Sequence, residues 1–210
     1  AGMLGSGRSE LLRSIFGADQ FDSGEIVIDH KVFTKSDIVT MKKMGLAMTP
    51  ENRKEEGLVQ ILSIRDNLSF ASMESMSVHG LLNKKMQDPY VNRVIESLQI
   101  KLSNIENPVS SLSGGNQQKV VIGNWLNAEP KVVFFDEPSR GIDVQAKQQI
   151  FQIMWDLSKQ GLSSIFVSTE LEELLEVCHR ILIMKQGRIE QEIFPDNVSL
   201  DEIYSLCMEA

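Results

Sequence analysis

No long hydrophobic run occurs anywhere in the sequence. Its longest apolar stretches, such as Val132-Val133-Phe134-Phe135, fall far short of the roughly 20 residues that span a bilayer. The opening residues, AGMLGSGRSE, have neither the basic start nor the long apolar core of a secretory signal. Basic charge is scarce, since 21 Lys and Arg against 29 Asp and Glu leave a net charge of −8. A general nucleic-acid surface needs clustered Lys and Arg, so none is expected, and direct docking on anionic lipid is equally disfavoured. Cysteine is nearly absent. Cys178 and Cys207 stand apart without metal-ligand spacing and read as reduced thiols of a cytosolic protein, not as a disulfide framework. His30, His79 and His179 are scattered, and no metal site is expected from them. Repeats and low-complexity segments are lacking too.

What is present is 210 residues of ordinary globular composition, 42% hydrophobic and 24% charged, enough for one sizeable domain with a sub-domain. The chain opens on a glycine-rich loop that runs into a helix with Leu11, Leu12, Ile15 and Phe16 as its apolar stripe and Gly17 as its stop. Strands are expected at Glu25–Asp29 and at Gly45–Met48, the latter ended by Pro50. From about Ser63 to Asn127 the pattern is helical, with Val91, Val94, Ile95 and Leu98 in one stripe and Val120, Val121, Asn124 and Trp125 in another. KVVFFDEP (Lys131 to Pro138) reads as a strand buried on both faces, and SSIFVST (Ser163 to Thr169) as a second buried strand. Between them lies a helix carrying Ile150, Ile153, Met154 and Leu157, which Gly161 ends. A short acidic helix follows, whose Glu170, Glu172, Glu173 and Glu176 are expected to form a solvated face. RILIM and RIEQEI flank Lys185-Gln186-Gly187 as a hairpin, and an amphipathic helix ends the chain. Ten methionines and Trp125 are expected in the core. The alternation predicts an α/β fold with a mostly parallel sheet and a helical insertion.

Three stretches carry chemistry. GMLGSGRS (Gly2 to Ser9) fits the phosphate-loop pattern G-x-x-x-x-G-[basic]-S, with Arg8 where that pattern has lysine. Bare glycine backbone lets consecutive N–H groups face a phosphate, the following helix adds its positive end, and Ser9 can reach Mg²⁺. VVFFDEPSRGID (Val132 to Asp143) ends a buried strand in Asp136-Glu137, at the sheet edge where open α/β folds bind ligands. Asp136 suits Mg²⁺ and Glu137 suits a general base for water. LSGGNQQK (Leu112 to Lys119) is either a turn that caps a helix or backbone kept bare for something charged.

A phosphate loop, then LSGGNQQ, then FFDEP about 20 residues later, then GID, is the motif order of ATP-binding-cassette ATPases, which the sequence resembles over essentially its whole length. The resemblance implies a P-loop NTPase fold whose N-terminal strands are missing. It places the ATPase lobe at residues 1–62 and 131–194, a helical sub-domain at 63–130 and a tail helix at 195–210. ATP and Mg²⁺ are the implied cofactors. Gly2, Gly5, Ser6, Gly7, Arg8, Ser9 and Glu10 would border the phosphates. Ser9, Glu51 and Asp136 would meet Mg²⁺, and Glu137, Thr169 and Glu51 would flank the attacking water. Ser113, Gly114, Gly115 and Asn116 would touch ATP held by a partner cassette, with Asp143 in the loop that crosses to it.

LSGGNQQKVVIGNWL, PENRKEEGL and EPSRGIDVQAKQQI are similar to the second, C-terminal cassette of the tandem ATPases that energise bacterial simple-sugar importers. That likeness implies a second cassette in the same polypeptide or a dimer, membrane permease subunits, and indirectly a sugar-binding protein. It also implies a peripheral place on the cytoplasmic face of the membrane. The groove around Glu51 to Ile64 would receive the permease's coupling helix. The strand before the phosphate loop and the aromatic that stacks on adenine are not in the sequence. Arg8, Glu51 and Thr169 depart from the lysine, glutamine and histidine of active cassettes. Losing one transition-state donor typically costs about 10²–10³ in rate, so the chain's own site is expected to be slow. A regulatory nucleotide-binding module and a soluble cassette not tied to transport stay open as alternatives.

Overall fold

The protein is described here from a computed structural model, which covers residues 1–208, with Val78 defined by its backbone alone. Glu209 and Ala210, the last two residues of the expected tail helix, lie outside the described residues. Helix α1 (Arg8–Phe16) starts from Gly7 and stops at Gly17, whose N–H closes on the carbonyls of Arg13 and Ser14. Gly7 sits at φ 94° and Gly17 at φ 85°, left-handed backbone that glycine adopts without a Cβ penalty.

The strand expected at Glu25–Asp29 forms as β1 (Ile26–Ile28) but lies outside the central sheet. It pairs antiparallel with β2 (Lys31–Phe33) through a turn at Asp29 and His30. Helix α2 (Ile38–Lys43) is capped by Asp37, whose side chain accepts from the Thr40 N–H. Strand β3 (Leu46–Thr49) follows, one residue later than expected, and a π-turn spans Arg53–Gly57.

The stretch from 63 to 127 is not helical throughout. Helix α3 (Ile64–Asn67) gives way to a small hairpin, β4 (Ser77–Val78) with β5 (Leu81–Leu82), before α4 (Lys84–Ser97) and α5 (Gly114–Leu126). The chain then runs through β6 (Val132–Asp136), α6 (Val144–Lys159), β7 (Ser163–Val167) and α7 (Leu171–Val177). It closes with the hairpin β8 (Ile181–Lys185) and β9 (Arg188–Ile193), then α8 (Leu200–Met208).

β6 is the middle strand of a parallel sheet ordered β3-β6-β7. Successive side chains of a strand point to opposite faces, and here both faces are covered. Phe135 lies in one apolar cluster with Val91 and Val94 of α4, Val120 of α5, and Ile150 and Phe151 of α6. Phe134 lies in a second cluster with Leu12 and Phe16 of α1, Met41 and Leu46. Each fully buried phenylalanine contributes roughly 1.5–3 kcal/mol of transfer free energy, so the strand that ends in Asp136 is held from two sides. Trp125, partly buried, closes edge-on against Phe16, ring centroids 5.4 Å apart. Met41, Met48, Met76, Met154 and Met184 are buried as expected, but Met3, Met73, Met86 and Met208 are exposed and do not belong to the core.

β7 departs from expectation. It is not buried along its length: Ser163, Ser164 and Ile165 are exposed, and only Val167 is buried. Its outer side faces a largely apolar cavity of about 660 Å³, which separates it from β8. Ala1 sits at that cavity, donating its amino group to the Leu182 carbonyl at 2.7 Å and accepting from the Met184 N–H at 2.8 Å. The acidic face of α7 is a second departure. Glu170, Glu172 and Glu176 are exposed, but Glu173 is only 3% exposed. Among the described residues, no helix is long and apolar enough to cross a membrane.

Candidate functional site

The glycine-rich loop and the end of β6 meet. Ser9, in the first turn of α1, donates its hydroxyl to Asp136 Oδ1 at 3.0 Å. Asp136 is 2% exposed, and burial pushes its carboxyl above the ordinary range, with the Ser9 hydrogen bond and the Arg8 charge opposing that rise. Glu137 is likewise raised by burial, against bonds from Thr169 and the charge of Arg8. It holds φ at 48°, a left-handed conformation that costs a non-glycine residue on the order of 1–3 kcal/mol. Its N–H is tied to the Val167 carbonyl at 3.0 Å, and its Oε2 accepts from the Thr169 hydroxyl at 3.3 Å.

A cavity of about 130 Å³ lies here, with Gly5, Ser6, Gly7, Arg8, Ser9 and Glu10 on one side and Glu51, Glu137 and Thr169 on the other. Asp136 is not in its wall and meets it only through Ser9. The volume suits a phosphate, not a whole nucleotide. Ser6 Oγ is buried without a hydrogen-bond partner, a polar atom left over for a ligand. A hydroxyl beside a carboxylate is a donor set that fits a hard, oxygen-preferring cation such as Mg²⁺.

Gly2 lies outside that wall. A Cβ there would stand 2.4 Å from the Met184 carbonyl oxygen, so its smallness serves the packing of the loop on β8. Arg8 is the larger surprise. It is 9% exposed, and its Nη1 donates to the Ser168 carbonyl at 2.8 Å, which ties the guanidinium to the end of β7. Glu51 reaches the cavity but is ion-paired with Nη1 of Arg140, in the loop after Glu137.

Ser113, Gly114, Gly115 and Asn116 do not line the cavity. They begin α5, against the loop that carries Gly141 and Ile142. The two glycines differ. At Gly115 a Cβ would come within 2.5 Å of the Ala146 Cβ, so this glycine allows α5 and α6 to approach closely. At Gly114 the nearest atom to a Cβ would be Arg53 Nη2 at 2.9 Å, the far end of a flexible side chain. Asn116 is spent locally, accepting from the Lys101 N–H and donating to Ser113 Oγ. Asp143 caps α6 by accepting from the Ala146 N–H at 2.9 Å.

Sequence reading missed four residues. Arg53 donates to the carbonyls of Arg140 and Gly141, fastening the π-turn to the loop beside Gly114. Arg140 neutralises Glu51. Both lie inside stretches already notable for their spacing, so the signal was present. Ser168 and Glu173 gave none.

Comparison with known proteins decides the family. A family profile described as "ABC transporter" matches residues 1–140. The chain belongs to the ABC transporter family. It is 43% identical over 203 residues to a ribose import ATP-binding protein, RbsA, of Oceanobacillus iheyensis, covering 97% of this chain and 41% of that protein. It is 42% identical to an uncharacterized ABC transporter ATP-binding protein, YphE, of Escherichia coli K12, with 98% and 41% covered. Identity to RbsA of Bacillus subtilis is 41%, with 98% and 42% covered. The chain therefore spans about two fifths of the length of these relatives. A nucleotide-free ATP-binding cassette from an ABC transporter superposes with a TM-score of 0.80 at 21% identity, over 99% of this chain and 82% of the other. The dimeric post-hydrolysis cassette MJ0796, bound to ADP and Pi, gives 0.76 at 21%, over 92% and 83%. These two establish the P-loop α/β fold.

Proposed function

We propose that this chain is an ATP-hydrolysing cassette of a sugar importer, one of two that close on ATP between them and drive a membrane permease. One observation carries the reading: the phosphate-loop cavity and Gly114 lie apart on the molecule, so a single chain offers two halves of different nucleotide sites. The relatives named for ribose import, and their greater length, support its being the second cassette of a tandem polypeptide with a sugar-binding protein upstream in transport. The division into an ATPase lobe (1–62 and 131–194), a helical sub-domain (63–130) and a tail is part of this proposal. So is a peripheral place on the cytoplasmic face of the membrane.

At the chain's own site Ser9 and Asp136 would hold Mg²⁺, which when bound offsets phosphate charge and orients the terminal phosphate. Glu137 takes a proton from the attacking water. Its burial raises its basicity toward working pH, and Thr169 fixes the carboxylate without supplying a cation to the γ-phosphate. Glu51 is drawn toward Arg140, and Arg8 toward Ser168, so two of the charged side chains that line the cavity also have partners outside it. The site is accordingly slow, while Ser113-Gly114-Gly115 serves the partner's ATP.

Arg8's tie to Ser168 also favours a second reading, a module that binds nucleotide without turning it over. Nucleotide affinity measured by calorimetry, beside ATPase turnover in the two-cassette protein with its permease, separates the two. Binding without turnover at this chain's own site favours the second reading, in which presenting Ser113-Gly114-Gly115 to the partner is its only task. Unchanged total turnover when Gly114 is replaced refutes the partner-site role in both.

A further inference from the structure

Glu173 is a buried carboxylate that neither the nucleotide site nor the proposed partner surface employs. It is 3% exposed on α7, and its Oε2 accepts two hydroxyls at 2.7 Å each, from Ser139 and from Ser168. Lys147 of α6 brings Nζ to 2.9 Å from Oε1 and also pairs with Glu170. The two serines sit on different functional loops. Ser139 lies two residues after Glu137, in the loop that ends at Asp143. Ser168 precedes Thr169, and its carbonyl is the one that Arg8 grips. The Lys147 N–H bonds to the Asp143 carbonyl at 2.9 Å, so the lysine reaches the same loop from its far end.

Burying a carboxylate is costly unless its lone pairs are filled, and removing such a carboxylate alone leaves the donors around it unpaired. Here one oxygen is shared by two hydroxyls from separate loops. That geometry fixes the distance between the loops and not merely the helix beneath them.

We propose that Glu173 is a positioning residue for the ATPase reaction: by bridging Ser139 and Ser168 it holds the Glu137–Asp143 loop in register with the loop that carries Thr169. The proposal rests on the function proposed above. Without the bridge, Glu137 and Asp143 lose their common frame, while the phosphate loop and Ser9–Asp136 stay as they are. Turnover falls and nucleotide binding does not.

The test uses the two-cassette protein with its permease and with the other cassette's own site disabled, so that turnover reports the site of this chain. Glu173→Ala should lower kcat about tenfold or more with KM for ATP changed less than about twofold. Ser139→Ala combined with Ser168→Ala should reproduce that loss with Glu173 retained. Glu173→Gln should keep kcat within about threefold, because its amide oxygen still accepts both hydroxyls, although it loses the Lys147 pairing and lowers Tm. Hydrogen exchange at Ser139–Asp143 should quicken in the first two variants and not in the third. A purely structural role predicts lowered Tm in all, with kcat of the folded protein unchanged, and overturns the proposal. So does a Gln variant as slow as the Ala variant. If Glu173→Ala does not fold, the double serine variant decides. If the unsubstituted protein hydrolyses no ATP, the function assigned above fails, and hydrogen exchange still judges the bridge.

Discussion

Arg8 Nη1 and the Ser168 carbonyl oxygen lie 2.8 Å apart, so the basic residue of the phosphate loop is bonded to the loop after β7. A hydrogen bond from a charged donor typically contributes about 1.5–3 kcal/mol, and it fixes the guanidinium by one of its five N–H donors while the side chain still lines the phosphate-loop cavity.

Arg8→Lys is therefore expected not to restore fast hydrolysis. Lysine returns a point charge, yet Glu51 and Thr169 still give the γ-phosphate no cation, and Ser168 loses its donor. Single-turnover hydrolysis in the two-cassette protein, with the other site disabled, should change by less than about tenfold. A hundredfold gain would mean that Arg8 alone limits the site.

The two glycines of LSGGNQQK should separate stability from activity. Gly115→Ala forces a Cβ to within 2.5 Å of Ala146 Cβ and should cost about 1–3 kcal/mol in unfolding experiments. Gly114→Asp brings a Cβ to 2.9 Å from Arg53 Nη2, the far end of a side chain that can shift, and to ordinary contact with the Gly141 carbonyl oxygen at 3.4 Å, so the fold should survive. Its negative charge then opposes the partner's γ-phosphate, and turnover of the two-cassette protein should collapse, more than it does in Glu137→Gln. The reverse order in steady-state rates would count against a slow site in this chain.

Burial raises Glu137, so the folded state holds its proton more tightly than the unfolded chain does. The stabilisation is complete below the ordinary glutamate value, 4.5, and is lost as pH rises through the elevated folded value. Glu137→Gln removes the charged form while still accepting from Thr169. It should raise Tm at pH 7, and the gain should vanish near pH 4. Thermal unfolding across that range measures it; an equal gain at both pH values would mean that ionisation is not the cause.

Nucleotide binding by the chain should be weak and Mg²⁺-dependent, since the 130 Å³ cavity takes a phosphate but offers adenine no stacking ring among its walls. Ser9→Ala should abolish the Mg²⁺ dependence by removing a ligand next to Asp136. Calorimetry with ATP, with and without Mg²⁺, checks both; sub-micromolar affinity would contradict the first.

Local pattern alone carried much of this protein. Glycine spacing announced the phosphate loop, an unbroken apolar run announced β6, and Asp136-Glu137 had to emerge at its end, because strand direction and burial are written in neighbouring residues. Tertiary structure decided the rest. Glu173 lies about 200° around α7 from Leu171, on what periodicity marks as the solvent side, and only the arrival of Ser139, Ser168 and Lys147 from three other segments buries it. Arg8 fits a phosphate by sequence, yet a carbonyl 160 residues away claims it. Gly114 and Gly115 look alike in the chain and are told apart by Arg53 and Ala146. Hydrogen bonds and close contacts depend on which distant groups share a few ångströms, and no periodicity along the chain encodes that.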